Sequence, residues 1–169
     1  MKLHATRALT TVEMAIGLSL LASVTIVGIA SCRREWSSSK QIEATSGVLR
    51  LGEEAVRFAT GRPPQAALPI SVDWTPNEVP RGFRVLDAEG TWAHPTWRAF
   101  DFRASPEGVP HAYVFSFETV PTRTDTSFSA KARGDLDGDG QESLFEMHGQ
   151  ATISGAVLDP ALRVKDALE

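Results

Sequence analysis

From Leu9 to Ser31 the chain carries a single charged side chain, Glu13, in an otherwise apolar-leaning run. As a helix rising 1.5 Å per residue, that run would be about 35 Å long, against a hydrocarbon core of about 30 Å. The sequence therefore predicts a membrane-spanning segment over 9–31. Glu13 is the anomaly in it: a charge at bilayer depth costs roughly 2.5–3.5 kcal/mol even on lenient scales, so a carboxylate kept there needs a partner. Lys2 and Arg7 precede the run and Arg33 and Arg34 follow it, so the flanking charge assigns no orientation. A removable secretory signal ending near Ser31 is the plain alternative.

The chain does not break where the apolar run ends. Ile42, Leu49, Val56 and Ala59 recur at near-heptad spacing, and Val48 and Ala55 widen the stripe, so the helix is expected to continue as an amphipathic half over 32–60. Gly61 and the Pro63-Pro64 pair then stop it. Beyond 61 the texture changes to short runs rich in β-branched and aromatic residues: "GFRVLD", "WRAFDFR", "HAYVFSFETV", "SFSAKA" and "LFEMHGQATISG". Pro and Gly turns separate them, which predicts an antiparallel sheet of four or five strands in a head over 61–169. The expected fold class is α+β: a long N-terminal helix, with a membrane-spanning first half and an amphipathic second half, packed on a small antiparallel sheet. Trp74, Trp92, Trp97, Phe100, Phe102, Tyr113, Phe115 and Phe117 are expected in the core and on the sheet faces.

The segment "RALTTVEMAIGLSLLASVTIV", starting at Arg7, resembles the N-terminus of type IV pilins and pseudopilins. The stretch "SKQIEAT" from Ser39 is similar to the one that follows the membrane portion in many bacterial pilins. The resemblance implies a leader peptide, 1–8, removed by a prepilin peptidase between Ala8 and Leu9, with methylation of the new N-terminus at Leu9. It also implies that Glu13 pairs with that amine on a neighbouring or the same subunit, acting as a register pin for assembly. Two opposite charges in an apolar setting belong together, because either alone is expensive. Ala8, Leu9 and Thr11 stand where the family usually has Gly, Phe and Leu, which bears on how efficiently the peptidase cuts.

On that resemblance the chain is a structural subunit of a type IV pilus-like filament serving adhesion, motility or DNA uptake. The alternative is a pseudopilin of a type II secretion system. The implied partners are the prepilin peptidase, other pilin subunits in a homo- or hetero-polymeric filament, and the inner membrane, spanned once before assembly. The implied destination is a cell-surface pilus or a periplasmic pseudopilus. A third class comes from "IASC", which resembles a lipobox and would make Cys32 the acylated first residue of a lipoprotein.

Composition excludes other classes. A net charge of -4, with scattered arginines, offers no field for a nucleic-acid backbone, so no nucleic-acid binding is expected. One cysteine excludes an internal disulfide or a CxxC site. His94, His111 and His148 lie far apart without metalloprotease spacing, no GxSxG occurs, and no enzyme is expected. One motif points to a metal. "GDLDGDGQESLFEMHG" puts Asp135, Asp137 and Asp139 at alternate positions, then Gly140, and Glu146 seven residues beyond Asp139. Converging carboxylates repel unless a hard cation sits between them, and calcium takes six to eight oxygens at flexible geometry. The expected ligands are Asp135, Asp137, Asp139, the Gln141 carbonyl and Glu146, on a turn joining two late strands. A solvated Asp-Gly turn without metal is the bland alternative.

Overall fold

The computed structural model describes residues 11–166, without the side chains at 13, 17, 18 and 20–40. It divides into two compact units, Met1–Ser38 and Ser39–Glu169. Helix α1 is Thr11–Ala59. In the second unit a short helix, α2 (Pro95–Phe100), accompanies six strands: β1 (Val72–Thr75), β2 (Val114–Pro121), β3 (Thr126–Gly134), β4 (Ser143–Thr152), β5 (Gly155–Leu158) and β6 (Arg163–Lys165). The sheet is antiparallel in the order β1-β2-β3-β4-β5, and β6 also pairs with β4.

Register places the core. Phe117 stands opposite Ala130, and Ala130 opposite Met147; Phe115 stands opposite Ala132, and Ala132 opposite Phe145. All six side chains are buried, so the inner face has large residues on the outer two strands and alanine between them. The small centre row leaves depth for a helix to approach. From α1 the buried side is Ala44, Gly47, Val48, Leu51, Gly52, Ala55 and Ala59. A Cβ on Gly47 would lie 2.5 Å from the Phe115 ring, so helix backbone and aromatic ring touch with nothing between them. The Phe115 and Phe117 rings continue the wall into Phe102 and Phe100 at centroid distances of 5.2 and 4.8 Å, edge to face. Glu43 fastens the same turn of α1 to the head: its Oε1 accepts the Ala112 N–H at 2.8 Å, and its Oε2 pairs with Arg84.

Several expectations are corrected. The fold class with a membrane-spanning first half is overturned: among the described residues no helix is long and apolar enough to cross a membrane. A span needs about 20 consecutive predominantly apolar residues. The transmembrane helix and the single-pass inner-membrane placement, with the cell-surface or periplasmic destination derived from it, fall with it. The sheet, expected to be small, has six strands and dominates the head.

The helix stripe is met in part: Val48, Ala55 and Ala59 are buried as expected, whereas two of its members are not. Ile42 is 66% and Leu49 41% exposed, because the aromatic sheet face admits the small-residue side of the helix instead. "WRAFDFR" is largely helical: the His94 Nδ1 accepts the Thr96 N–H at 3.3 Å, Pro95 opens α2 with its φ already set, and Asp101 closes it in the left-handed region. "GFRVLD" forms only a bridge between Val85 and His111.

Replacing Gly47 by Ala should test the close approach. An alanine raises helix propensity by about 1 kcal/mol, yet its Cβ must displace a fully buried ring, which costs about 1–3 kcal/mol. Gly47→Ala is expected to lower unfolding stability by up to about 2 kcal/mol in denaturant titration, while Ser46→Ala on the exposed side changes it little. Stabilisation by Gly47→Ala would contradict the packing.

Candidate functional site

The loop between β3 and β4 brings three of the five expected metal ligands together. Gly134 pairs with Ser143, and the chain between them must reverse within the turn 135–142. Gly138 (φ 83°) and Gly140 (φ 94°) supply the left-handed positions this needs. Asp135 is 2% exposed and organises the turn, accepting the Gly138 N–H at Oδ1 (2.7 Å) and the Gly140 N–H at Oδ2 (3.1 Å). Its own carbonyl accepts the Gly82 N–H at 2.8 Å, which ties the loop to the segment after Pro80. Asp137 Oδ1 takes the Asp139 N–H at 3.2 Å. One ligand oxygen from each of Asp135, Asp137 and Asp139 lies within 4.8 Å of the others.

Glu146 lies elsewhere, and Gln141, expected to offer its carbonyl, contacts the triad through its N–H groups. Gln141 turns its polar groups onto Asp139: its backbone N–H reaches Oδ1 at 2.7 Å and its Nε2 reaches Oδ2 at 2.9 Å. These two bonds, the backbone one first, hold the Asp139 carboxyl below the ordinary carboxylate range. Such a group contributes stability at pH above its unfolded value, and that contribution is lost as pH falls through the lowered one. Glu146 is outside the triad. It stands in mid-β4 opposite Lys131, with Oε1 3.5 Å from the Lys131 Nζ and 3.5 Å from the His148 Nε2. Alternation along β4 turns Phe145 and Met147 inward, and Glu146 onto the outer face. A strand beginning at Ser143 thus carries Glu146 away from the turn, where a helical exit would curl it back over the loop. Glu118 completes that outer patch, its Oε2 2.8 Å from the Lys131 Nζ, and this bond lowers its pKa.

The donor set that remains is three hard carboxylates on one turn, two of them exposed, which suits a hard divalent cation held partly by water or backbone carbonyls. Ala8 and Leu9, the expected processing positions, lie outside the described residues, as do the side chains of Glu13 and Cys32. Of the described histidines, His94 caps α2, His148 faces Arg163 at 3.0 Å on the outer sheet, and His111 is buried. Sequence reading overlooked Glu43 as a helix-to-head clamp. Its signal was an acid between Ile42 and Ala44 in a segment read only for its apolar stripe.

The chain matches no family model, no curated protein and no solved structure.

The loop's affinity for a cation is tested on the full-length chain by thermal unfolding. Extracellular calcium modules have dissociation constants of about 10⁻⁴–10⁻³ M, and calcium at about ten times such a value stabilises by roughly 1.4 kcal/mol. That is a rise in Tm of about 3–5 °C, with magnesium giving much less. Asp137→Ala should abolish the rise. Equal Tm with and without calcium, or a variant more stable than the parent in saturating calcium, would identify a plain acidic turn.

Proposed function

We propose that this chain is a structural subunit of a filament of the type IV pilin class, joined to further copies or related subunits through its N-terminal segment. The observation that carries the reading is at the start of α1. Val12, Met14 and Ile16 are 66%, 54% and 56% exposed there. Val12 and Ile16 lie one helical turn apart, and Thr11, Ala15 and Ser19 follow the same spacing beside them. Uncovered apolar side chains at helical spacing call for another apolar helix, and the same segment of a second copy has that chemistry. The sequence supplies the second support. Glu13 stands inside the segment, five positions from the cut implied between Ala8 and Leu9, so the new amine of one subunit and the carboxylate of another can neutralise each other. At about 4 Å and an effective dielectric of about 20, such a pair is worth about 4 kcal/mol of attraction before desolvation.

A second reading, a pseudopilin of a type II secretion system, is favoured by the Asp135, Asp137 and Asp139 turn. In a chain with one cysteine, a calcium clip there would do what a disulfide does in closing the C-terminal region of many pilins. Both readings share the assembly segment.

Coexpression with a prepilin peptidase tests the assignment. Intact mass should show loss of residues 1–8 and a methylated Leu9. Glu13→Gln should be processed and should fold its head normally, yet enter filaments at least tenfold less than the parent. An unprocessed chain, an acylated Cys32 at the N-terminus, or undiminished incorporation of Glu13→Gln would each count against the proposal.

A further inference from the structure

His111 and Asp87 form a titratable pair, the first buried and the second partly exposed. The His111 side chain is 0% exposed. Its backbone exchanges two hydrogen bonds with Val85, 2.9 and 3.0 Å long. The ring is held from both sides: Nδ1 is 2.8 Å from the Tyr113 carbonyl oxygen, and Nε2 is 2.9 Å from Asp87 Oδ1. The other oxygen of Asp87 accepts the Trp92 Nε1–H at 2.7 Å, and the Trp92 ring meets the imidazole edge to face at 6.4 Å.

Donor counting settles what this geometry needs. A carbonyl oxygen only accepts, so Nδ1 must carry a hydrogen. A neutral imidazole has just one, which would leave a bare Nε2 lone pair aimed at a carboxylate oxygen. With a hydrogen on each nitrogen, both contacts become hydrogen bonds, and the half-buried Asp87 carboxylate gains a charge-assisted donor beside Trp92. We propose that His111 is held as the imidazolium, a proton-charged latch tying the Val85–Trp92 segment to the start of β2, and that loss of the proton releases that segment.

Of the other charged groups, Glu89, Arg98, Asp101, Arg103 and Glu107 line the groove that Asp87 borders, and Glu43 and Arg84 engage each other. Glu43 of α1 accepts the Ala112 N–H and pairs with Arg84, so its carboxylate is engaged there, and on the sheet side Tyr113 presents its carbonyl to the ring. Asp87 and Trp92 also line a groove of about 720 Å³ with Trp97 and Phe102. The latch therefore fixes one wall of that groove. Linkage gives the sign: a proton bound by the folded chain and released on unfolding stabilises the fold at lower pH, and the contribution disappears as pH rises.

The test uses the ¹⁵N-labelled full-length chain. Long-range ¹H–¹⁵N spectra at about pH 7 should place both His111 ring nitrogens in the protonated range. Asp87→Asn is the matched variant, because its amide oxygen can accept from Trp92 while its NH₂ donates to Nε2, so a neutral ring is then satisfied. That variant should show Nδ1 protonated and Nε2 bare. Raising pH from about 6 to about 9 should lower the parent's Tm by about 2–4 °C more than that of Asp87→Asn. A bare Nε2 in the parent at about pH 7 would overturn the latch whether or not the variant folds, and so would parallel Tm curves from two folded proteins.

Discussion

The head depends on one fit, the small-residue side of α1 against an aromatic sheet face. Ala44, Gly47, Gly52 and Ala55 present little side-chain height around Val48 and Leu51, and the rows Phe117–Ala130–Met147 and Phe115–Ala132–Phe145 present a surface low in its middle. Hydrophobic burial scales with area removed from water, at about 25 cal/mol per Å², so close approach over the whole face matters more than any single bulky contact. The consequences spread outward. Phe102 and Phe100 extend the wall, Trp97 anchors α2 by donating its Nε1–H to Thr75 Oγ1 at 3.0 Å, and Glu43 fixes the position along the helix by its bonds to Ala112 and Arg84. The Asp turn follows from the same sheet, because β3 and β4 deliver its two ends in register.

Legibility in the sequence followed the length scale of the interaction. Strands β3 and β4 were readable because "SFSAKA" and "LFEMHGQATISG" alternate, and β2 because "HAYVFSFETV" is a short β-branched and aromatic run; both are local properties. The end of α1 was readable from Gly61 and Pro63. The helix face was readable in part: Val48, Ala55 and Ala59 of the expected stripe are buried, but near-heptad spacing also pointed to Ile42 and Leu49, which the partner surface leaves out. "WRAFDFR" has strand-like composition, but the cap His94-Pro95 and the left-handed Asp101 decide it as a helix, and those signals were present in "HPTWRAFD".

The candidate site shows the same division. Asp135, Asp137 and Asp139 converge because the turn is local, with two glycines placed where left-handed backbone is needed. Glu146 fitted the linear spacing, yet strand alternation sends it to Lys131 on the outer face. A sequence motif counts residues; it does not record whether the last of them leaves on a helix or on a strand. The His111 latch could not be read at all, since Asp87, Trp92, His111 and Tyr113 meet only through the Val85 bridge.

The functional account rests on the apolar start of α1 being covered by another copy. Cysteines placed at Val12 and Ile16, with Cys32 replaced by Ser, would report this directly under mild oxidation of cells coexpressing the prepilin peptidase. Assembly through this segment predicts disulfide-linked multimers for Val12→Cys paired with Ile16→Cys, and none for cysteines at Ser46, on the exposed side of the head-bound helix. Monomers alone at positions 12 and 16, with the head folded and the leader removed, would contradict the account.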